Sequence, residues 1–403
     1  MSQSTPLPLG LYIHIPWCPT RCIYCDFNTY VDGGATLKER YHRALLREIR
    51  EAGVALERPS LDTIFFGGGT PTTLEPRQLL ELVDMVRESF SLRPDAEITT
   101  EANPGTLSLE YLRELRQGGI NRLSLGVQSF NDEELRFLSR LHDAAAARHA
   151  AEMARQAGFD NLNLDLIFNL PYQTVEQWQR NVQEALKLQP EHFSFYSLIV
   201  EPGTPLHRQV AKGEVPEPDD DVAADMYAYT IEALGEAGFT QYEISNWAHG
   251  GGEAPWQTPE LASAHNLIYW RNQPYLGLGA GAYGTIGHTR WANVKRPQSY
   301  IDRVAHGAGL GMARDEKTLE HIDRDNELAE HMMLGLRLVR EGVSCSTFQE
   351  RFNLDLETHF ADAIEQGIGR ELLEWIELSD DRRLRLTHKG RFLANEATLP
   401  FLS

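Results

Sequence analysis

Short runs of apolar and β-branched residues alternate with amphipathic stretches through the first half of the chain. The stretches at 37–53, 76–90 and 145–159 repeat apolar residues at helical spacing. The runs between such stretches are typical of strands, and they lie at residues 10–17, 62–69, 97–104, 121–128, 161–168 and 191–200. A series of βα units predicts a parallel sheet, either curved into a partial barrel or wound open.

We favour the barrel, because residues capable of chemistry recur at the carboxyl ends of the predicted strands. Barrel active sites are built at that edge of the sheet. The predicted class is therefore α/β, with a partial (β/α)6 barrel similar to a TIM barrel.

The pattern changes after about residue 205. A helical stretch at 224–238 precedes a strand-like segment at 241–248 and a glycine-rich region at 276–287. From about 312 the chain is helical and charged, which predicts a small α+β domain of the winged-helix type closed by a β-hairpin. We predict four parts in chain order, an N-terminal extension, the barrel, a linking β-rich segment and this C-terminal domain, at 1–9, 10–240, 241–311 and 312–403.

Composition narrows the class of protein. The chain has 403 residues, of which 42% are hydrophobic and 24% charged, as in an ordinary globular protein. Its formal charge of −20 argues against nucleic acid as a partner, since phosphate-backbone binding needs a basic face. We find no signal-peptide pattern and no run of transmembrane length, so we expect a cytoplasmic protein with at most peripheral membrane contact.

Three of the four cysteines, Cys18, Cys22 and Cys25, fall within eight residues. Disulfides need an even set of partners, and a closed zinc or ferredoxin-type site needs four protein ligands. The C-x3-C-x2-C spacing instead indicates a four-iron cluster with one iron left open to a small molecule. A zinc site that adds His14 is the main alternative, and buried structural thiols are a weaker one.

Further candidate residues follow the predicted strands. Gly68, Gly69 and Thr70 come after the second strand, where glycine lets the backbone approach a ligand closely. Glu101 ends the third strand, and a carboxylate there can accept the hydroxyl hydrogens of a ribose. Gln128 ends the fourth strand, Arg140 lies in the helix-like stretch after it, and Asp165 lies in the fifth strand. Singly, Arg140 and Asp165 would be ordinary surface and buried residues, but the series favours a functional site.

The motif Y-x-H-I-P-W-C-x3-C-x-Y-C, followed by GGGTP and a strand that contains a glutamate, resembles the radical S-adenosylmethionine superfamily. From Tyr12 onward, nearly the whole chain resembles the oxygen-independent coproporphyrinogen III dehydrogenase group and its haem-chaperone relatives. The resemblance implies a [4Fe-4S] cluster on the three cysteines, whose open iron is capped by S-adenosylmethionine. It further implies that this cofactor contacts Tyr12, Tyr24, Gly68, Gly69, Thr70, Glu101, Gln128, Arg140 and Asp165.

Differences between this sequence and the dehydrogenase indicate which branch of the group it resembles. The dehydrogenase has another cysteine two positions after the third, where this chain has Phe27, and it has a longer N-terminal segment. Both differences resemble the HemW-type haem chaperones, whose H-N-x-x-Y-W motif stands here at 265–270. His265 is the candidate haem ligand, with a structural histidine as the alternative. Asn169 and Tyr172 stand where glycines are common in the group.

The resemblance implies a haem-binding carrier that delivers haem to respiratory haem proteins. A homodimer is compatible with this function. The main alternative is oxidative decarboxylation of coproporphyrinogen III, and a third hypothesis is a radical enzyme acting on another substrate. In the carrier, cleavage of S-adenosylmethionine would be slow or uncoupled, so whether the protein is an enzyme stays open at this point.

Overall fold

The chain packs into two compact units. The computed structural model describes residues 8–31, 33–251, 254 and 256–402. The first unit contains the described residues up to Thr230 together with Pro274–His321, and the second contains Ile231–Gln273 and the described residues from Ile322 onward. The polypeptide therefore crosses between the two units three times.

Strands and helices are numbered in chain order. The strands are β1 (Gly10–Ile15), β2 (Trp17–Cys18), β3 (Tyr30–Val31), β4 (Ser60–Gly68), β5 (Ser91–Ala102), β6 (Arg122–Gln128), β7 (Leu162–Phe168), β8 (His192–Ser197), β9 (Thr240–Glu243), β10 (Asn246–Ala248), β11 (Tyr275–Leu278), β12 (Tyr283–Ile286), β13 (Thr289–Ala292), β14 (Glu320–His321), β15 (Val343–Ser344), β16 (Leu373–Glu377) and β17 (Arg382–Leu386). The helices are α1 (Gly34–Ala55), α2 (Pro76–Ser89), α3 (Leu109–Gln117), α4 (Asp132–Phe137), α5 (Ala144–Gln156), α6 (Val175–Lys187), α7 (Pro205–Ala211), α8 (Asp220–Glu236), α9 (Ala264–Trp270), α10 (Pro297–His306), α11 (Arg324–Gly335), α12 (Cys345–Phe352), α13 (Leu356–His359), α14 (Ala361–Gly369), α15 (His388–Phe392) and α16 (Ala394–Thr398). Short 3-10 turns lie at Pro71–Thr73, Pro104–Thr106, Glu316–Thr318 and Leu399–Leu402.

The first unit is built on one large sheet. Its strands follow the order β14-β13-β12-β11-β1-β4-β5-β6-β7-β8. Strand β1 and strands β4 to β8 are parallel neighbours, and helices connect each of them to the next. This confirms the predicted α/β series. Strand β11 pairs in parallel with the free edge of β1, an addition that the sequence pattern did not predict.

Helix α6 illustrates why these residues form helices on the sheet. Thr174 and Gln177 form a capping box at its start, which satisfies backbone N–H groups that the helix leaves unpaired. Its buried face carries Trp178, whose ring lies 5.3 Å from that of Phe168 on β7 and 5.2 Å from that of Phe195 on β8. The helix therefore covers these two parallel strands with one large aromatic side chain.

Two strands differ in length from the prediction. Strand β5 begins at Ser91, ahead of the predicted start at 97, because Ser91 and Leu92 pair with Ser60 and Leu61 before a register shift. Strand β8 ends at Ser197, whereas the prediction continued to residue 200. There Leu198 turns out of the sheet, donates its N–H to Phe168 O at 2.9 Å and packs into a buried cluster.

The second unit is α+β, as predicted for the C-terminal region. Strands β9 and β10 form an antiparallel pair, and β15, β17 and β16 form an antiparallel sheet that includes the predicted hairpin. A separate apolar core, including Phe348, Leu372 and Leu384, lies under the helices. The predicted domain boundaries at 240/241 and 311/312 stay predictions, and the packing units divide at other positions. Within the described ranges, no helix combines the length and the apolar character needed to cross a membrane.

Candidate functional site

The N-terminal cysteines lie on one short loop that is fixed at both ends. Cys18 ends β2, which pairs with β3, and the N–H of Tyr30 donates to Pro16 O at 2.7 Å. Cys18, Cys22 and Cys25 are half-buried, and none of them is in a disulfide. Cys22 and Cys25 both interact electrostatically with the Cys18 thiol, so the three sulfurs are neighbours. Burial raises the pKa of Cys18 to about 11 and raises the pKa of Cys25, so both thiols are protonated near neutrality.

His14 is committed to other partners than the thiols. Its Nε2 lies 3.0 Å from Asn28 O and its Nδ1 lies 3.0 Å from the hydroxyl of Tyr12. A carbonyl can only accept, so Nε2 donates and Nδ1 accepts from the tyrosine. Burial lowers the pKa of His14, which keeps the ring neutral. The imidazole therefore supports Tyr12 and the cysteine loop, and it leaves no nitrogen for the zinc site considered above.

The donors on this loop are thiols, the protein ligands of iron–sulfur clusters. Nowhere in the described part of the chain do three or more His, Cys, Asp or Glu side chains converge as the ligands of a single ion. Thiolates that each bind a different iron need not converge on one point. Three neighbouring thiols on a loop held at both ends therefore fit the cluster that the sequence predicts.

The glycine run at the end of β4 is hydrogen-bonded to the segment where the cysteine loop begins. Gly69 N–H donates to Ile15 O and Thr70 N–H donates to Trp17 O, both at 2.8 Å. The Thr70 hydroxyl lies 3.7 Å from Cys18 Sγ, within hydrogen-bonding distance for sulfur. Gly68 has φ of +109°, and a Cβ there would lie 2.3 Å from the ring of His14. Only glycine fits this close approach of two strand ends.

Two buried carboxylates lie on β5 and β7, the strands on either side of β6, and the charge of one acts on the other. Glu101 Oε2 accepts the N–H of Gly68 at 3.1 Å. Burial, together with the charge of Asp165, raises the pKa of Glu101 to about 8. Asp165 accepts from Ser124 Oγ at 2.8 Å and from Asn163 Nδ2 at 2.7 Å, and burial raises its pKa as well. Burial disfavours the charged form of both carboxyl groups. A cationic ligand would favour that charged form, and a ligand rich in hydroxyl groups would donate hydrogen bonds to it.

Arg140 joins the carboxyl end of β6 to the cysteine loop. Its Nη2 donates to Gly126 O at 2.7 Å and its Nη1 lies 3.4 Å from Cys22 Sγ. Its Nε is buried and has no hydrogen-bond partner in the described structure, which leaves a donor for a ligand. A Cβ on Gly126 would meet Gln128 Nε2 at 3.1 Å, so Gln128, held at φ +69°, is in the same neighbourhood. The phenol of Tyr24 also lies near Arg140 and Cys22, although burial is the main cause of its raised pKa.

The structure thus brings most of the sequence-predicted residues to one edge of the sheet. Contacts link Cys18 to Thr70, Cys22 to Arg140 and Gly68 to Glu101. This edge is where the carboxyl ends of the parallel strands meet. Thiols, a glycine-lined backbone, a guanidinium and two carboxylates are together the groups needed to hold a metal cluster beside an amino acid that carries a ribose.

Sequence reasoning missed one residue of this neighbourhood, Asn28. Its Nδ2 donates to Ala280 O at 2.9 Å and to Lys295 O at 3.0 Å, and its own carbonyl accepts from His14. A Cβ on Gly281 would lie 2.5 Å from this amide nitrogen. The glycine-rich region after β11 therefore clamps the cysteine loop. The glycines were visible in the sequence, but the partner more than 200 positions earlier was not.

The haem candidate, His265, belongs to the second unit. It lies in α9, is 2% exposed, and its Nε2 lies 2.9 Å from the hydroxyl of Tyr269. Asn266 Nδ2 donates to the Tyr242 hydroxyl at 3.3 Å. Trp270 stacks under the guanidinium of Arg337, which lies 4.9 Å from the ring centroid. Within α9 the histidine, asparagine and tryptophan of the motif all have partners inside this unit.

Comparison with known proteins extends over both units. Residues 12–185 match the model of the radical SAM superfamily, and residues 322–393 match that of the HemN C-terminal domain. The chain is 39% identical to a Bacillus subtilis protein named heme chaperone HemW, over 97% of this chain and 98% of that protein. It is 39% identical to the Escherichia coli protein of the same name, over 94% of this chain and 96% of the relative.

A solved structure agrees with the fold over the whole chain. Coproporphyrinogen III oxidase (HemN) from Escherichia coli, described as a radical SAM enzyme, superposes with a TM-score of 0.81 at 26% identity. The superposition covers 100% of this chain and 92% of that one. The barrel and the α+β C-terminal region predicted from the sequence are thereby confirmed.

Proposed function

This chain belongs to the radical SAM superfamily and, within it, to the family of the HemW proteins, and we propose that it is a haem chaperone. The observation that carries the proposal is 39% identity with relatives of that name along nearly the full length of both proteins. In this proposal the protein works in the cytoplasm, its acceptors are respiratory haem proteins, and a homodimer is one form in which it carries haem.

Cys18, Cys22 and Cys25 would hold a [4Fe-4S] cluster. The three neighbouring thiols on a clamped loop support this assignment, as does the fact that both nitrogens of His14 are engaged elsewhere. Since thiolates are the ligands, assembly removes protons from thiols whose burial disfavours the charged form. Arg140 offsets part of that cost, because its guanidinium lies 3.4 Å from Cys22 Sγ.

S-adenosylmethionine would lie on the same strand edge, against the glycine run. Gly69 and Thr70 form its floor, Glu101 and Asp165 supply acceptors, and the unpaired Nε of Arg140 supplies a donor for a carboxylate. Tyr12, Tyr24, Gly68 and Gln128 complete the proposed contacts. When both are bound, a reduced cluster would supply the electron that cleaves a carbon–sulfur bond of this cofactor. The residues of the chain would bind and orient the cofactor and exclude water from it. Glu101 and Asp165 would become charged as the cationic sulfonium enters the site.

We propose His265 as the axial ligand of haem iron. Its Nε2 bonds to Tyr269 in this structure, so ligation through that nitrogen requires the phenol to give way. The imidazole is otherwise well prepared, because α9 fixes its backbone and burial excludes competing water. This requirement separates the proposal from a purely structural histidine, as a variant of Tyr269 can test.

A second candidate function is oxidative decarboxylation of coproporphyrinogen III. It is favoured by the TM-score of 0.81 with an oxidase of that substrate and by the matching C-terminal family model. Phe27 argues against it, since that position carries a cysteine in the dehydrogenase group and here carries an aromatic ring that is 63% exposed. We therefore retain the carrier as the main proposal.

The test is anaerobic reconstitution with iron and sulfide, followed by haem titration on the same sample. Wild-type protein should turn brown, contain iron and acid-labile sulfide, and give a Soret shift with near-stoichiometric haem uptake. Cys22→Ala should lose the cluster, whereas Cys345→Ala, which removes the fourth cysteine in the second unit, should keep it. One zinc and no sulfide would overturn the cluster assignment.

Haem titration, together with an assay of the same sample with coproporphyrinogen III, decides between the two functions. No haem uptake by the reconstituted wild type would overturn the carrier proposal. Formation of vinyl groups from coproporphyrinogen III under reducing conditions would instead favour the decarboxylase. Neither result depends on the cysteine variants, so a failure of the cluster assignment and a failure of the haem proposal remain distinct.

A further inference from the structure

The turn that follows β7 holds a tyrosine where its backbone geometry favours glycine. Gln173 N–H donates to Leu170 O at 2.9 Å, which closes a four-residue turn with Pro171 and Tyr172 at its centre. Tyr172 has φ of +68°. Proline at the second position and a positive φ at the third define a type II turn, whose third residue is usually glycine or asparagine. A bulky side chain there is an outlier that is kept at a cost in free energy.

Nothing in the described structure compensates Tyr172 for this conformation. Its side chain is 70% exposed, and among the residues described here it has no hydrogen bond, ring contact or charged partner. The contacts that hold the turn do not involve the side chain of Tyr172. Leu170 is buried, and its N–H donates to the side chain of Gln173 at 3.2 Å. The turn is therefore rigid, the ring is presented to solvent, and a contact outside the chain is the remaining reason for the ring.

The turn stands beside the candidate cluster site. Leu170 belongs to a buried group with Leu138 and Leu198, and Ile23 and Tyr24 of the cysteine loop pack against that group. Leu138 follows α4 in the connection from β6 to β7, Leu170 follows β7, and Leu198 follows β8. An apolar side chain exposed to solvent follows each of them within three residues. With Tyr196 at the end of β8, these exposed residues form what we call the apolar rim: Leu141 (65% exposed), Tyr172 (70%), Tyr196 (44%) and Ile199 (67%).

The size of the apolar rim favours a flat small molecule over a protein. The exposed parts of the four side chains add up to roughly 400 Å², an area similar to that of the largest apolar patches on monomers, and the buried leucines beside three of them belong to one cluster. A stable protein interface needs about 800 Å² on each partner. The face of a porphyrin is apolar, planar and of the smaller size, and an aromatic ring stacks on it favourably.

We propose that the apolar rim binds one face of haem, with the ring of Tyr172 stacked on the porphyrin. The inference rests on the proposed haem-carrying function and adds to it the surface that receives the macrocycle. It does not depend on the identity of the axial ligand. The energy of stacking compensates for the left-handed backbone, which explains why the tyrosine stands in a glycine position.

The test compares haem affinity with stability in three variants. Tyr172→Gly should raise the unfolding temperature by about 1–3 °C, because the turn relaxes, and should weaken haem binding about tenfold. Tyr172→Phe should bind haem like the wild type with an unchanged Soret maximum, since stacking needs the ring and not the hydroxyl. The matched control is Gln189→Gly, another exposed residue with positive φ (+49°), which precedes β8 at the opposite edge of the sheet. It should gain stability without any change in haem affinity.

Each other outcome has a definite meaning. Unchanged affinity in Tyr172→Gly, with wild-type uptake intact, would overturn the inference and leave the haem carrier standing. Loss of haem binding in both Tyr172→Gly and Tyr172→Phe would show that the hydroxyl matters, which contradicts stacking. If Tyr172→Gly instead abolished self-association in sedimentation at equal haem affinity, the rim would be a contact between copies of the chain. No uptake by the wild type would remove the proposed function, and this inference with it.

Discussion

Replacement of Glu101 by glutamine should stabilise the protein without ligands, more at neutral than at acidic pH. The substitution removes the charge and keeps a carbonyl that can accept the N–H of Gly68, which now donates to Glu101 at 3.1 Å. The carboxyl lies beside Asp165 in a desolvated position, and its pKa rises from 4.5 to about 8. The buried, charged carboxylate therefore lowers the stability of the protein at neutral pH, as groups at functional sites often do.

The magnitude follows from the linkage between protonation and folding. A folded-state pKa above the unfolded-state value means that protonation stabilises the fold fully below pH 4.5, and that this stability is lost as the pH rises towards 8. At 1.36 kcal/mol per pKa unit, ionisable Glu101 costs at most about 1 kcal/mol at pH 5 and about 3 kcal/mol at pH 7. These are upper figures because water partly reaches the side chain.

The assay is denaturant unfolding of the metal-free protein at pH 5 and pH 7. Glu101→Gln should gain more stability at pH 7 than at pH 5, relative to wild type, by up to about 2–3 kcal/mol. Glu110→Gln, at an exposed position in the first turn of α3, controls for the loss of one negative charge from an acidic chain. In equilibrium dialysis, Glu101→Gln should bind S-adenosylmethionine more weakly than wild type. An equal gain at both pH values would refute the reasoning, because it would mean that the pKa of Glu101 is not raised in the fold.

Two further predictions concern a backbone position and the haem ligand. Gly68→Ala should lose S-adenosylmethionine binding and about 1–3 kcal/mol of stability, since its Cβ would lie 2.3 Å from the ring of His14. Gly213→Ala, where φ is also positive but no atom lies within 4 Å of the new Cβ, should lose stability alone, and equal binding losses in both would contradict the clash. Tyr269→Phe should strengthen haem binding because it frees the Nε2 of His265, whereas His265→Ala should shift the Soret maximum. Weaker binding in Tyr269→Phe with an unchanged maximum in His265→Ala would indicate a structural histidine.

The parallel strands could be predicted from local pattern, whereas the edge of the sheet beyond β1 could not. Strands β4 to β8 alternate with helices in sequence, so their pairing follows from short right-handed connections. Strand β11 is a short run, Tyr275–Leu278, that joins β1 from more than 250 positions away. The start of β5 was missed for a different reason, because Arg93, Pro94 and Asp95 interrupt its apolar pattern.

The candidate site shows the same division. Residues that end successive parallel strands, such as Glu101 and Gln128, can be placed at one edge from the strand pattern alone. The partners of Asn28 and His14 could not, because they depend on contacts between loops whose conformations carry no periodic signal. Burial was also invisible in the sequence, and it is burial that moves the pKa of Glu101 to about 8.

The clamp on the cysteine loop has a consequence for biosynthesis. The amide of Asn28 is anchored by Ala280, which lies 252 positions later. At a translation rate of 5–20 residues per second, a ribosome needs roughly 13–50 seconds to make the intervening polypeptide. During that interval the nascent cysteines are without this anchor, which is when the proposed cluster would be easiest to insert. Once β11 and the turn after it emerge, the Asn28 amide can donate to Ala280 O and fix the cysteine loop in its final position.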